Sequence, residues 1–166
     1  PGSGPVVASL HRVENLHRPG RLRAFLGLLS RLVADGHKVL FVMHPPTKRV
    51  LARHGGRAGV EASGVVISDL LPFAEFASRL AAAPFVVTDG GSIQEECTSL
   101  GVPCLLWRDR TERPDGVGDN VVVGCYDDAV VDRFLADPET HRRPARLGDA
   151  RPSVEVADVL AGMVDP

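Results

Sequence analysis

Short apolar runs alternate with longer amphipathic segments along the whole chain. The apolar runs predict six strands, at residues 6–9, 38–43, 64–68, 85–88, 103–106 and 120–123. Between them, apolar residues recur at three- and four-residue spacing, which predicts helices at residues 21–35, 47–53, 73–82, 93–100, 127–136 and 154–163. The polar or proline-rich stretches are predicted to be loops, at residues 57–62, 107–118 and 138–152.

This alternation predicts an α/β fold with a doubly wound, Rossmann-like parallel sheet of about six strands. Hydrophobic residues make up 44% of the chain but aromatic residues only 5%, so the core consists mainly of aliphatic side chains, as in a sheet buried on both faces. We interpret residues 6–166 as one domain and residues 1–5 as a linker or an artificial start. Ligands of such a sheet bind beyond the carboxyl ends of its strands.

Charge and composition exclude several kinds of partner. The 19 basic and 21 acidic residues leave a net charge of −2, so nucleic acid and membrane surfaces are not predicted partners. Three cysteines without a C-x-x-C spacing, and six histidines without a ligand pattern, predict neither a disulfide framework nor a metal site. No apolar run has transmembrane length and no signal peptide is visible, which predicts a cytoplasmic location.

The sharpest motif is a glycine turn between a predicted strand and a predicted helix. Gly90, Gly91 and Ser92 follow the strand at 85–88, and backbone N–H groups at such a helix start favour an anion such as a diphosphate. The alternative is a purely structural connection, with Ser92 as N-cap and Glu95 completing a capping box. Glu95 and Glu96 either complement the helix dipole or accept hydrogen bonds from ribose hydroxyls.

A charged loop follows the next predicted strand. Arg108, Asp109, Glu112 and Arg113 lie within it, together with Arg110. One alternative is a solvated loop whose charges pair with one another. In the other, one arginine binds a phosphate while Asp109 and Glu112 hold it in place. The loop's position beside the glycine turn favours the second alternative.

Two histidines also follow predicted strands. His11 comes after the strand at 6–9, where it is a candidate for phosphate binding or acid–base catalysis. His44 follows the strand at 38–43 and is a weaker candidate of the same kind.

Three segments in order, at residues 9–15, 88–96 and 108–114, resemble the C-terminal half of non-hydrolysing UDP-N-acetylglucosamine 2-epimerases. Residues 147–150 fit this resemblance loosely. It implies a two-domain, glycosyltransferase-B-like enzyme in which this half holds most of the UDP. The family pattern is usually Ser-Gly-Gly where this chain has Gly-Gly-Ser at 90–92, so one hydroxyl has moved by two positions.

The resemblance also implies roles for individual residues. Gly90, Gly91 and Ser92 would hold the diphosphate, which Arg113 would approach. Glu96 would bind the ribose, and Ser68 and Phe73 would contact uracil. His11 would lie near the phosphates and the reacting sugar, as the catalytic candidate.

The chemistry implied is elimination and re-addition of UDP with inversion at C2, without a metal or other cofactor. The family's main catalytic carboxylates lie in the N-terminal half and at the domain junction, outside this sequence. We therefore expect the chain alone to bind UDP-sugar weakly and not to epimerise it, with the N-terminal domain and a homodimer mate as further partners. The alternatives are the nucleotide-binding half of a glycosyltransferase of the same architecture, and a nucleotide-sugar-binding domain without catalysis.

Overall fold

A computed structural model describes residues 2–53, 56–146 and 152–164 of the chain. Its strands are β1 (Val6–Ser9), β2 (Val39–Val42), β3 (Val66–Ser68), β4 (Val86–Thr88), β5 (Cys104–Leu106) and β6 (Val121–Val123). Its α-helices are α1 (Val13–Leu16), α2 (Pro19–Ala34), α3 (Pro45–Arg53), α4 (Gly56–Ala62), α5 (Phe73–Ala82), α6 (Gly91–Leu100), α7 (Asp128–Ala136) and α8 (Pro152–Val164). All six predicted strands and all six predicted helices are present, with strand ends shifted by one or two residues.

The strands form one parallel sheet in the order β3-β2-β1-β4-β5-β6, which confirms the predicted doubly wound α/β fold. The strands β2 and β3 are added on one side of β1, and β4, β5 and β6 on the other, so the strand order reverses between β1 and β4. These two strands are parallel neighbours, with Ser9 opposite Thr88. A crevice opens at such a reversal beyond the carboxyl ends of the strands. The turns that follow β1 and β4 therefore meet at the one place where this fold class binds ligands.

The sheet is buried on both faces, as the aliphatic composition predicts. One face packs Val6, Ala8 and Val87 against a cluster that includes the large side chains of α2, and the other packs Val7 and Val86 against α5 and α6. The central strands β1, β2, β4 and β5 are buried at every position. This packing gives the turns at the carboxyl ends a rigid base.

The predicted loop at 57–62 is wrong, because α4 occupies Gly56–Ala62. Two glycines in this segment lower its intrinsic helix propensity, but Val60 is buried in the core and Arg57 Nε donates to Glu61 Oε1 at 2.9 Å one turn later. The four-residue helix α1 was not predicted either, since so short a segment carries no periodicity. The predicted connection at 138–152 contains a 3₁₀ helix at Pro138–His141.

Helix α6 ends at Leu100, as the sequence predicts, and Gly101 is its C-cap residue. Gly101 has φ +67°, and its backbone carbonyl accepts a hydrogen bond from the Arg143 N–H at 2.9 Å. The N–H of Val102 donates to the carbonyl of Cys97 at 2.9 Å, as in the Schellman ending. The connection after α7 therefore lies directly against the end of α6.

Helix α8 exposes every described side chain from residue 153 to 163, including Leu160 and Met163. Within residues 2–53, 56–146 and 152–164, no helix combines the length and the apolar character needed to cross a bilayer. In the same ranges no three histidine, cysteine or carboxylate side chains come together as metal ligands would. Residues 147–150, which contributed to the resemblance, lie outside the described residues.

Candidate functional site

The glycine turn after β4 forms the floor of the candidate site. Gly90 is the N-cap residue of α6, and no side chain caps that end of the helix. Ser92 is exposed in the first turn of α6 rather than at its N-cap, so the alternative of a Ser92–Glu95 capping box is wrong. An uncapped start of a ten-residue helix presents N–H donors and the positive end of the helix dipole to an anion.

His11 and Arg113 pack directly against the two glycines. A Cβ atom added at Gly90 would lie 2.8 Å from Cε1 of His11, and one added at Gly91 would lie 2.5 Å from Nε of Arg113. The absence of side chains at both positions is therefore what admits the imidazole and the guanidinium to the turn. The structure brings together His11, the glycines and Arg113, which the sequence separates by up to a hundred residues.

Arg113 forms an ion pair with Glu95 through Nη1 and Oε1. Both side chains remain partly exposed, at 36% and 45%. Glu95 thus neutralises the guanidinium that packs against Gly91. An anion at the helix start would compete with Glu95 for the same guanidinium.

Arg108 and Glu112 of the loop form a second network with Arg12, which joins the turns after β1 and β5. Glu112 accepts a hydrogen bond from Arg108 Nη2 at 2.9 Å and lies 3.9 Å from Arg12 Nη1. The hydrogen bond from Arg108 lowers the pKa of Glu112 to about 2. Glu112 therefore pairs with an arginine of its own loop, which agrees with both alternatives for this loop, whereas Asp109 is exposed and has no ion-pair partner in residues 2–53, 56–146 and 152–164.

Arg108 itself is nearly buried, with a side chain only 8% exposed, and its Nη1 has no hydrogen-bond partner within the described part of the chain. A buried guanidinium with a free nitrogen is a candidate anion donor. Its neighbours Glu112 and Arg12 tie it to the turn that carries His11.

A cavity of about 150 Å³ lies beside the turn. Its polar lining consists of His11, His44, Ser92 and Glu96, and its apolar lining consists of Val42, Leu70, Leu71, Phe76 and Ile93. The two imidazole rings stack with centroids 4.4 Å apart, and burial together with the proximity of His11 lowers the pKa of His44. His44 is thus a neutral wall of the cavity near neutral pH.

Glu96 carries the free acceptor of this cavity. Burial and then the charge of Glu95 raise the pKa of Glu96, and its Oε2 has no hydrogen-bond partner among the residues the structure describes. A ligand hydroxyl would relieve this unpaired carboxylate oxygen by donating to it.

Phe73 and Ser68, the predicted uracil contacts, lie in different places. Phe73 is 72% exposed and lines a groove with Ser92, Glu95 and Glu96. Ser68 lines a separate cleft beside β3 and donates through its hydroxyl to the carbonyl of Asp69 at 2.9 Å. The structure thus places Phe73 next to the other predicted residues but does not bring Ser68 into the same cavity.

Gln94 positions the loop that carries Arg113, a role the sequence pattern did not indicate. Its buried amide donates through Nε2 to the carbonyls of Arg113 and Asp115 at 3.1 and 2.8 Å. Its Oε1 accepts from the hydroxyl of Thr111 at 2.9 Å. Only the three-dimensional approach of α6 and the loop reveals these partners, because they lie 17 to 21 residues further along the chain.

Gln94→Leu is expected to lower the free energy of unfolding by about 1–3 kcal/mol, because it removes all three hydrogen bonds between α6 and the loop. Urea unfolding of the two proteins measures the change. Thr111→Val removes one of these bonds, together with the 3.2 Å hydrogen bond from the Arg113 N–H to the Thr111 hydroxyl, and serves as the graded control, with a loss of about 1–2 kcal/mol. Equal stability of wild type and Gln94→Leu would contradict this role.

The chain matches the sequence model of UDP-N-acetylglucosamine 2-epimerase over residues 2–161. It is 33% identical over 162 residues to the UDP-2,3-diacetamido-2,3-dideoxy-D-glucuronate 2-epimerase of Pseudomonas aeruginosa. This alignment covers 95% of this chain and 44% of that protein. It is 27% identical over 168 residues to the UDP-N-acetylglucosamine 2-epimerase of Bacillus subtilis, covering 93% of this chain and 43% of that protein. The chain thus spans a little under half the length of these relatives.

Solved structures share the fold. The UDP-N-acetylglucosamine 2-epimerase of Methanocaldococcus jannaschii, crystallised with UDP-N-acetylglucosamine and UDP, superposes with a TM-score of 0.83 at 24% identity, over 96% of this chain and 45% of that one. The Neisseria meningitidis enzyme bound to UDP-N-acetylglucosamine gives a TM-score of 0.72 at 21% identity, over 96% of this chain and 45% of that one. The sheet described above is therefore one half of a known two-part architecture.

Proposed function

Because the chain belongs to the UDP-N-acetylglucosamine 2-epimerase family, we propose that it is the UDP-binding half of a UDP-sugar 2-epimerase. One observation carries this proposal: the uncapped start of α6, the His11 ring and the Arg113 guanidinium meet at Gly90 and Gly91. Helix N–H donors, an imidazole and an arginine are the groups that bind a diphosphate.

The proposed reaction begins with loss of UDP from the sugar. The anomeric C–O bond breaks and its electron pair leaves with the diphosphate, while a base removes the C2 proton and the electron pair of the C2–H bond forms a C1=C2 double bond. UDP then adds back after a proton reaches C2 from the other face. Groups that favour negative charge on the leaving oxygen lower this barrier, and Arg113 with the start of α6 supplies them in this half.

The cavity beside the turn supports binding of the nucleoside. The unpaired oxygen of Glu96 is an acceptor for a ribose hydroxyl. The aliphatic and aromatic lining of the cavity suits a flat base. Phe73 at the adjoining groove remains a proposed base contact. Ser68 lines the separate cleft beside β3, so it would contact uracil only where the base extends toward that cleft.

The sugar is proposed to be an acetamido sugar linked to UDP. The Pseudomonas aeruginosa and Bacillus subtilis relatives are named for different sugars, and both names include UDP and at least one N-acetyl group. A shared UDP half with variable sugar contacts agrees with this pattern.

Calorimetry with UDP, UDP-N-acetylglucosamine and ADP tests the proposed ligand. We expect the chain to prefer both uridine ligands over ADP, because the base contacts would be specific while the ribose and diphosphate contacts would be shared. Equal affinity for UDP and ADP would contradict the assignment of the cavity to uridine. Absence of binding to all three would contradict the proposed function itself.

The chain alone is expected to leave the C2 proton of UDP-N-acetylglucosamine in place. The catalytic carboxylates implied by the family resemblance lie outside this sequence, and each such group contributes roughly 10²–10⁴-fold to a proton transfer. Incubation in D₂O followed by ¹H NMR measures exchange at C2, with a two-domain relative as positive control. Exchange catalysed by this chain would show that it contains its own base.

A further inference from the structure

Asp89 is a fully buried carboxylate at the point where the turns after β1 and β4 meet. Its Oδ1 accepts a hydrogen bond from the backbone N–H of His11 at 3.0 Å, and its Oδ2 accepts from the backbone N–H of Arg12 at 2.9 Å. Oδ2 also accepts from Nδ2 of Asn15 at 2.9 Å. One side chain thus receives three donors from the turn that carries the candidate catalytic histidine.

This position requires a group that only accepts hydrogen bonds. An ionised carboxylate offers two acceptor oxygens, and three N–H donors compensate for its removal from water. An asparagine at position 89 would place an NH₂ group against at least one of these donors and leave it unpaired. The turn after β1 is therefore matched to an aspartate and not to its amide.

Asn15 extends this support to the other side of the crevice. Its Nδ2 also donates to the carbonyl of Trp107 at 3.2 Å, and its Oδ1 accepts from the hydroxyl of Tyr126 at 2.8 Å. Tyr126 has φ +55°, in the left-handed region, and the Arg21 guanidinium lies 3.8 Å from the centre of its ring. Strained backbone of this kind persists only where the surroundings over-determine it.

The imidazole of His11 is held on three sides by this arrangement. Its Nδ1 lies 3.4 Å from Oδ1 of Asp89, within ion-pair distance but without the geometry of a hydrogen bond, its Cε1 packs against Gly90, and His44 stacks on the ring. A carboxylate beside one ring nitrogen favours a proton on that nitrogen, which leaves the other nitrogen as the one available to a ligand.

We propose that Asp89 is a positioning residue that orients His11 and keeps a proton on its Nδ1, so that Nε2 faces the ligand and, when the ring carries a second proton, donates to the diphosphate. The last clause depends on the proposed function, whereas the orientation and the tautomer do not. Asp89 does not touch the ligand in this proposal. It acts through the backbone and ring of His11.

Long-range ¹H–¹⁵N NMR on the ligand-free 166-residue chain tests the tautomer directly. The spectrum is recorded well above the usual imidazole titration point of about 6.5, and loss of one signal set in His11→Gln assigns the ring. We expect the neutral imidazole of His11 to carry its proton on Nδ1. A proton on Nε2 with a bare Nδ1 would overturn the proposal, and this result needs no Asp89 variant.

Asp89→Asn supplies the second readout. We expect the Nδ1 preference of His11 to be lost and the affinity for UDP to fall about tenfold, since a misplaced charge-assisted contact changes binding by roughly that factor. Asp158→Asn, an exposed aspartate on α8, makes the same chemical change away from the site and should alter neither readout. An unchanged tautomer and unchanged UDP affinity in Asp89→Asn would overturn the proposal.

Two further measurements keep the outcomes separate. Circular dichroism establishes whether Asp89→Asn is folded, and if it is not, the wild-type tautomer decides the question alone. If the wild-type chain carries the Nδ1 proton but does not bind UDP, the proposed function fails while the positioning role stands. If it binds UDP with the proton on Nε2, the reverse holds.

Discussion

Arg113→Gln is expected to weaken UDP binding by about 10- to 100-fold. The guanidinium lies against Gly91 at the start of α6, so its charge acts on the same anion as the helix N–H donors. A hydrogen bond to a charged group is worth about 1.5–3 kcal/mol, which corresponds to this range of affinity. Calorimetric titration with UDP measures the change.

Arg110→Gln is the matched control for this prediction. Arg110 belongs to the same loop, is exposed, and has no ion-pair partner in the part of the chain the structure describes. It should change UDP affinity by less than about threefold, as exposed charges contribute little. Equal losses in the two variants would mean that only the net charge of the loop matters and that Arg113 has no specific contact.

Arg113→Lys separates geometry from charge. A lysine keeps the positive charge but cannot bind two phosphate oxygens as a planar fork does. We expect an affinity between those of wild type and Arg113→Gln. Wild-type affinity in Arg113→Lys would indicate a contact that depends on charge alone.

Gly101→Ala is expected to lower the free energy of unfolding by roughly 2–5 kcal/mol. An alanine at φ +67° is strained by about 1–2 kcal/mol, and its Cβ would overlap the carbonyl oxygen of Arg143 and lie 2.7 Å from that carbonyl carbon. Overpacking against backbone adds about 1–3 kcal/mol, since neither chain segment can yield as a side chain would. Urea unfolding monitored by circular dichroism measures the loss.

Two other glycines separate the contributions to this loss. Gly36 also has a positive φ, +92°, but open space around its missing Cβ, so Gly36→Ala should show the strain alone. Gly27 lies inside α2 with open space, so Gly27→Ala should stabilise the protein by about 0.5–1 kcal/mol through helix propensity. If Gly101→Ala costs no more than Gly36→Ala, the contact with Arg143 is not tight.

Much of the fold follows from local patterns in the sequence. Apolar runs four to six residues long that alternate with amphipathic segments are typical of a parallel sheet buried on both faces and covered by helices. Every strand and every helix predicted from these patterns is present. The helix at 56–62 was not predicted, because its two glycines lower the helix propensity of the segment. Burial of Val60 stabilises this helix in the folded protein.

The location of the candidate site could also be predicted from the sequence, whereas the contacts between its residues could not. His11, Gly90, Gly91 and Arg113 follow strand ends, and the topology of a doubly wound sheet brings such residues to one edge. The sequence offered Ser92 as an N-cap, but Gly90 takes that position. The choice depends on the exact geometry of the turn, which residue type alone does not specify.

Periodicity, glycine positions and strand-end residues therefore sufficed for the architecture and the location of the candidate site, because each is a local property of the chain. The partners of Asp89, Gln94 and Asn15 needed the tertiary structure. Their hydrogen bonds join residues 17 to 111 positions apart, and a buried polar side chain is satisfied by whichever donors the packing brings within about 3 Å. The separation in sequence leaves no local signal of such pairs, so only the assembled sheet shows what orients His11 and Arg113.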